Sequence, residues 1–170
     1  FAERFWKDHP LGWSILGPSE TIRSMERGDI LKYFKEAYSP ENVFITAAGG
    51  LKHAGVVKLL KKSFGALKGK EAKKPLPAPV PEPGVKLFKK DLEQVHMCIG
   101  VPVPPQSDPE RYKIYLMNTI LGGGMSSRLF QQVREKRGLA YSVYTYVNLC
   151  RDTGSLIAYA GTSEASFGEV

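Results

Sequence analysis

Two side chains in the second half of the chain, Arg134 and Tyr141, could act together on a carbonyl group. The helical pattern predicts Arg134 late in a helix that Gly138 ends, and Tyr141 at the start of the next strand. Folding back at Gly138 would bring the guanidinium and the phenol to the same side. Both groups donate hydrogen bonds that suit a carbonyl or a developing oxyanion. From the residues alone, a surface ion pair for Arg134 and simple packing for Tyr141 are favoured over this role.

The other reactive side chains show no catalytic or metal-binding pattern. The three histidines, His9, His53 and His96, are far apart, and none lies in an H-x-x-E-H motif. Cys98 and Cys150 show no CxxC spacing. Because a zinc site needs three or four converging ligands, no metal ligand is expected in this chain.

The run Gly122-Gly123-Gly124 is the remaining motif that could carry a chemical function. It follows a predicted helix rather than a strand, and no Lys-Ser/Thr pair follows it, so it does not fit a phosphate-binding loop. The glycines are expected to allow a tight turn between two helices or the close approach of a partner's backbone.

Composition is that of a globular protein. The chain has 170 residues, 42% of them apolar, and a formal charge of +7. No apolar run approaches the roughly 18 residues of a membrane helix, so no membrane span is expected.

Much of the positive charge lies on lysines near a proline-rich stretch, without a nucleic-acid motif. A solvated connector is therefore favoured, and a basic nucleic-acid-binding module is the alternative. The chain begins without methionine, which suggests a piece of a longer protein.

That proline-rich stretch divides the chain into two parts. Between residues 69 and 84, proline occupies every second position from Pro75 to Pro83. Proline has no backbone donor and a fixed φ, so neither a helix nor a central strand can form there. The sequence therefore predicts an extended linker between residues 1–68 and 85–170.

Hydrophobic periodicity predicts mixed elements on both sides of the linker. The first part should contain helices capped by Ser19 and by Asp29, a strand over 43–48, and a helix over 56–67. The second part should contain strands over 85–90, 92–101, 140–149 and 155–162, and helices starting at Asp108 and at Ser126 or Ser127. Because strands and helices mix without βαβ alternation, the predicted fold class is α+β. Two partial lobes of mixed or antiparallel sheet, packed with helices, would be joined by the linker.

Four segments, in order along the chain, resemble one family. They read HPLGWSILG at 9–17, YSPENV at 38–43, KDLEQVH at 90–96, and LGGGMSSRLF at 121–130, continuing as REKRGLAY at 134–141. Together they resemble the pitrilysin/insulinase zinc metallopeptidases, in the branch of mitochondrial processing peptidase and its bacterial relatives.

The resemblance implies homologous α+β lobes around a peptide-binding chamber. One lobe of such proteins binds zinc through an H-x-x-E-H helix and a later glutamate, and the motif's own glutamate is the general base. The next lobe supplies an arginine and a tyrosine that contact substrate near the scissile bond, which by motif position are Arg134 and Tyr141. Residues 1–68 would be the C-terminal part of the zinc lobe, and 85–170 the N-terminal part of the substrate-contacting lobe.

The chain departs from the family pattern because it has no H-x-x-E-H. In the family this motif precedes the segment at 9–17, so zinc is expected in the parent protein and not in this chain. The prediction is a central fragment of a zinc-dependent metalloendopeptidase that hydrolyses peptides. The alternative is a non-catalytic structural or interaction subunit of the same fold. The short glycine run favours a catalytic-type parent.

The expected partners are a peptide substrate, the remaining lobes of the parent and a second copy of the chain. Self-association is expected because cut lobes leave unpaired edges and apolar faces. No nucleic acid is expected as a partner, and no membrane span is expected. The compartment stays open between bacterial cytoplasm, periplasm and mitochondrial matrix.

Overall fold

A computed structural model of the chain describes residues 1–68 and 76–170. They form two compact units, which we call the sheet unit (Phe1–Ile15 with Pro77–Val170) and the helical unit (Leu16–Leu76). One boundary lies between residues 15 and 16, outside the predicted linker, and the other lies between residues 76 and 77, inside it. Residues 69–75 of the linker lie outside the described residues. The assignment of the two sides to two lobes of a longer protein stays a prediction.

The elements are short. The helices are α1 (Ala2–Phe5), α2 (Ser19–Ser24), α3 (Arg27–Ala37), α4 (His53–Phe64) and α5 (Arg111–Leu121), with 3₁₀ turns at Pro10–Gly12 and Pro40–Asn42 and a π-helix at Phe130–Lys136; the strands are β1 (Val95–Val103), β2 (Ala140–Leu149) and β3 (Gly154–Thr162). None of the helices within residues 1–68 and 76–170 combines the length and the hydropathy that a membrane span requires.

The sheet unit is built on an antiparallel sheet of order β1-β3-β2, so β2 forms one of its edges. One face of the sheet packs against the π-helix through a core of Val133, Ala140, Val143 and Ala160. Met97 of β1 extends this core, as expected from its place in a strand that alternates apolar and polar residues. The α+β class with an antiparallel sheet is therefore confirmed.

The N-terminal segment is part of the sheet unit. Phe5 and Trp6 are buried, and the backbone carbonyl of Phe5 accepts a hydrogen bond of 3.1 Å from the Glu82 N–H. The Glu82 carboxylate also lies 3.4 Å from Arg4 and 3.3 Å from Lys7. Residues 1–15 thus attach to the last residues of the predicted linker, a grouping that the sequence did not indicate.

The helical unit contains α2, α3 and α4. The residue before α2 is Pro18 rather than the expected cap Ser19. Glu26 caps α3, and Asp29, the expected cap, is the third residue of a reciprocal capping box. The Glu26 N–H donates to the Asp29 carboxylate at 2.9 Å, so Asp29 still satisfies a donor at this helix start.

Two strand predictions are wrong. Residues 43–48 and 85–90 carry neither helix nor strand. Their apolar runs have strand-like composition, but a strand exists only where a neighbouring backbone supplies hydrogen bonds. Among the described residues no strand lies beside either run. The helix expected at Asp108 begins at Arg111, and Asp108 instead accepts a 2.8 Å hydrogen bond from the Glu110 N–H.

Candidate functional site

A cleft of about 490 Å³ runs along β2 in the sheet unit. The glycine run after α5 forms one wall, the π-helix contributes a second, and β2 forms the floor. Its lining residues include Tyr115, Gly124, Met125, Phe130, Arg134, Tyr141, Tyr144 and Tyr146. Both residues predicted to carry the chemistry therefore line the same cleft.

The glycine run holds the end of α5 against the edge strand. The Thr145 N–H donates to the Gly122 carbonyl at 3.1 Å, and the Thr145 hydroxyl donates to the Asn118 carbonyl at 3.1 Å. A Cβ at Gly122 would lie 2.4 Å from the Thr145 nitrogen, and one at Gly123 would lie 2.8 Å from the Thr119 Cα. Only glycine permits this approach, as the tight-turn interpretation requires.

Gly124 differs from its two neighbours. A Cβ built there would meet no atom within 4 Å, and the residue lines the cleft. The packing of the chain therefore does not explain this glycine. Because glycine has no side chain, Gly124 presents only backbone atoms to the cleft.

Two backbone irregularities place Arg134 and Tyr141. The helix over Phe130–Lys136 is a π-helix, a wider turn that is frequent at functional sites. It ends at Lys136; Gly138 then has φ 61°, and its N–H donates to the Arg134 carbonyl at 3.1 Å. The pairing of β2 with β3 then shifts register between Ala140 and Ser142, so Tyr141 is the extra residue of a β-bulge. Bulges redirect side chains at strand ends.

These irregularities bring the two predicted residues into contact. The Arg134 Cζ lies 4.7 Å from the centre of the Tyr141 ring and 4.7 Å from the centre of the Phe130 ring. The guanidinium is therefore in cation–π range of both rings, while its N–H donors lie in its plane and can reach a ligand. The alternative of a surface ion pair is also present, since Arg134 Nε lies 3.7 Å from Glu135. An exposed pair of this length contributes little.

Phe130 is a site residue that the sequence interpretation missed. A signal was available, because Phe130 precedes Arg134 by four residues, the spacing at which helical side chains meet. The contact explains how a long, flexible arginine is held in one place.

Tyrosine rings extend from the cleft across β2 to the central strand β3. The Tyr144 ring centre lies 6.1 Å from that of Tyr146 and 4.9 Å from that of Tyr159. His96 Nδ1 lies 2.7 Å from the Tyr159 hydroxyl. Burial raises the pKa of Tyr146, with smaller contributions from Cys98 and Tyr144, so this phenol is neutral at physiological pH. The alternation Tyr-x-Tyr in β2 could have indicated the cluster.

The described part of the chain offers no fit for a zinc ion. Within residues 1–68 and 76–170, no three side chains of His, Cys, Asp or Glu come together as a metal site would require. His9 has a structural contact instead, because its Nδ1 accepts the Leu11 N–H at 3.1 Å.

The sequence matches known proteins over its whole length. Residues 24–170 match the family model described as the peptidase M16 inactive domain. A protein named an uncharacterized zinc protease from Mycobacterium leprae is 35% identical, and the match covers 100% of this chain and 39% of the relative. A Bacillus subtilis protein of the same description is 38% identical, with 91% of this chain and 38% of the relative covered. The chain thus spans about two fifths of the length of these relatives.

Solved structures share the fold. A crystal structure of a peptidase M16 inactive domain from Pseudomonas fluorescens superposes with a TM-score of 0.84 at 24% identity, covering 99% of this chain and 44% of that one. A protease from Helicobacter pylori gives a TM-score of 0.78 at 23% identity, covering 99% of this chain and 43% of that one. The match extends over nearly all of this chain and less than half of each solved chain.

Proposed function

The chain belongs to the M16 (pitrilysin/insulinase) peptidase family, and from this premise we propose that it is the substrate-holding part of a zinc-dependent endopeptidase. Arg134 and Tyr141 would contact the substrate carbonyl at the bond to be cleaved. The observation that carries the proposal is the guanidinium–phenol contact, which lies in a cleft beside an edge strand. The processing-peptidase-like branch stays a prediction.

The contact suits a carbonyl that gains negative charge. The Arg134 ion supplies in-plane donors, and the Tyr141 hydroxyl supplies one more. A hydrogen bond to an oxyanion is stronger than one to a neutral carbonyl, so these donors stabilise the tetrahedral state more than the bound substrate. Contacts with Phe130 and Tyr141 limit movement of the guanidinium, and this preorganisation makes the stabilisation effective.

In this proposal, zinc is bound by other parts of the parent protein and not by the described residues. The two relatives described above are named zinc proteases, and we infer that the parent binds zinc through residues other than those described. The described residues would bind and orient the peptide, and they would donate hydrogen bonds from Arg134 and Tyr141. An extended peptide could also use the backbone groups at the edge of β2.

The test is peptide hydrolysis by the full-length protein with single substitutions. Arg134→Ala and Tyr141→Phe should each lower kcat by about 10²–10³-fold with a smaller change in KM, because the lost donors act mainly in the transition state. Arg128→Ala, an exposed arginine earlier in the same segment, is the matched control and should leave kcat unchanged. Thermal unfolding of each variant separates lost chemistry from lost folding. Full activity in both Arg134→Ala and Tyr141→Phe would refute these roles.

A second candidate is a non-catalytic interaction subunit of the same fold. It is favoured by the family description as an inactive domain. In that case the full-length protein would bind peptides in this cleft without cleaving them. Equilibrium peptide binding measured beside hydrolysis distinguishes the two functions.

A further inference from the structure

We propose that α4 binds an anionic lipid surface through three lysines that are bordered by two exposed apolar side chains. The three lysines are Lys58, Lys61 and Lys62, and we call them the basic stripe. The ligand is the headgroup region of a bilayer that contains anionic phospholipid. This inference concerns the helical unit and does not rest on the proposed function.

The segment that contains α4 has an excess of positive charge. Between residues 42 and 68 the sequence has five lysines and neither aspartate nor glutamate. The lysines of the basic stripe are exposed. Within residues 1–68 and 76–170, no ion pair involves any of these three. Lysines that are clustered without such partners create a positive potential that attracts an anionic surface.

Helical spacing gathers the basic stripe on one side of α4. Lys58 precedes Lys61 by three residues and Lys62 by four, and these are the separations at which side chains of an α-helix are neighbours. Lys61 and Lys62 lie in the last turn of α4, where positive side chains interact favourably with the helix dipole. The helix therefore carries a defined cationic side rather than scattered charges.

Large apolar side chains border the basic stripe on both sides. Leu59 precedes Lys62 by three residues, which places it at one border. Phe64 follows Lys61 by three residues and lies at the other border. Leu59 exposes 63% of its surface and Phe64 exposes 45%, whereas Leu60, on the opposite side of the helix, is partly buried. Lysines beside exposed apolar groups are typical of helices at a membrane interface, where the ammonium groups meet headgroups and the apolar groups enter the acyl boundary.

A lipid surface fits this pattern better than a nucleic acid does. Single strands are held by aromatic rings on which bases stack, and duplexes are recognised by polar contacts to phosphates and base edges. Phe64, the last residue of α4, is its only phenylalanine, tyrosine or tryptophan. Exposed leucine gains nothing from a phosphate backbone, whereas a bilayer accepts both the lysines and the apolar groups beside them.

The experiment measures binding of the full-length protein to two kinds of vesicle, one of phosphatidylcholine alone and one that also contains phosphatidylglycerol. We expect the affinity for the anionic vesicles to be about tenfold or more above that for the neutral ones, and to fall as the salt concentration rises. Equal affinity for both kinds of vesicle, or no binding to either, would overturn the proposal. A DNA duplex added at equal phosphate concentration should leave the protein on the vesicles, and displacement would overturn the proposal in favour of nucleic acid.

Two double variants locate the binding in α4. Lys61→Gln with Lys62→Gln removes two charges from the basic stripe and should weaken binding to the anionic vesicles by about tenfold. Lys89→Gln with Lys90→Gln removes the same charge from exposed lysines outside the helices and strands and should leave binding nearly unchanged. Equal losses in the two double variants would show that only net charge matters, which would contradict the assignment to α4.

A third variant tests the apolar border of the basic stripe. Leu59→Gln keeps every charge and should weaken binding to the anionic vesicles by about fivefold at low and at high salt, because burial of an apolar side chain is not screened. Ala54→Gln, at an exposed position of the same helix, is the neutral control. Thermal unfolding of each variant separates lost binding from lost folding. An unchanged affinity in Leu59→Gln would refute the choice of a lipid surface.

Discussion

The sheet unit buries apolar side chains of the π-helix, β2 and β3, although those of α5 stay exposed, whereas the helical unit buries none in α3 or α4. Val133 and Val143 in the sheet unit expose at most 8% of their surface. Ile30 and Phe34 of α3 expose 58% and 51%, and Leu59 of α4 exposes 63%. Both units show the apolar spacing of their element type, so spacing by itself does not determine burial.

The difference lies in what covers each apolar stripe. In the sheet unit, β3 pairs with both β1 and β2, and the sheet offers one face to the π-helix. The helical unit has three α-helices and, among the described residues, no strand. An amphipathic helix gains stability mainly from the surface that it packs against. The helical unit should therefore depend more on additional contacts than the sheet unit does.

The largest expected effect compares one apolar residue from each unit. Val143→Ala should lower the free energy of unfolding of the sheet unit by about 2–3 kcal/mol, because it removes two buried methyl groups and leaves a cavity. Phe34→Ala should cost less than about 1 kcal/mol, since the ring is half exposed. Hydrogen-exchange protection of amides in β3 and α3 reports each unit separately. Equal losses would contradict the comparison.

Replacing one glycine by alanine in each unit tests the same difference in packing. Gly122→Ala should destabilise the sheet unit by about 1–3 kcal/mol, because the new Cβ would lie 2.4 Å from the Thr145 nitrogen. Gly28→Ala in α3 meets no atom within 4 Å and should stabilise that helix by up to about 1 kcal/mol. Denaturant unfolding followed by circular dichroism measures both. Destabilisation by Gly28→Ala would show that α3 has a close neighbour in solution.

The smallest effect concerns an exposed contact of the N-terminal segment. Lys86 donates a 2.9 Å hydrogen bond to Glu3, and this contact, with the charge of Lys86, lowers the pKa of the Glu3 carboxyl. A lowered folded-state pKa contributes stability above the ordinary carboxyl pKa of 4.5, and that contribution disappears as the pH falls through the lowered value. An NMR titration should show the Glu3 pKa rising in Lys86→Met and not in the control Lys89→Met. An unchanged pKa would mean that the contact does not persist in solution.

The sequence allowed, without favouring it, a fold-back at Gly138 that brings Arg134 and Tyr141 to the same side, and in the structure the two side chains are in contact. Their roles stay a prediction. The π-helix and the bulge at Tyr141 were missed, because each depends on hydrogen bonds to residues that periodicity does not identify.

Local patterns indicated α3, α4, α5 and the segments that became the three strands, since helix and strand periods and turn residues are properties of short segments. Tertiary structure decided which apolar runs became strands, because residues 43–48 and 85–90 have the composition and no pairing partner among the described residues. It also decided that residues 1–15 attach to the sheet unit and that Phe130 packs against Arg134. Such outcomes depend on which surfaces meet in space, and the sequence of a single segment does not contain that information.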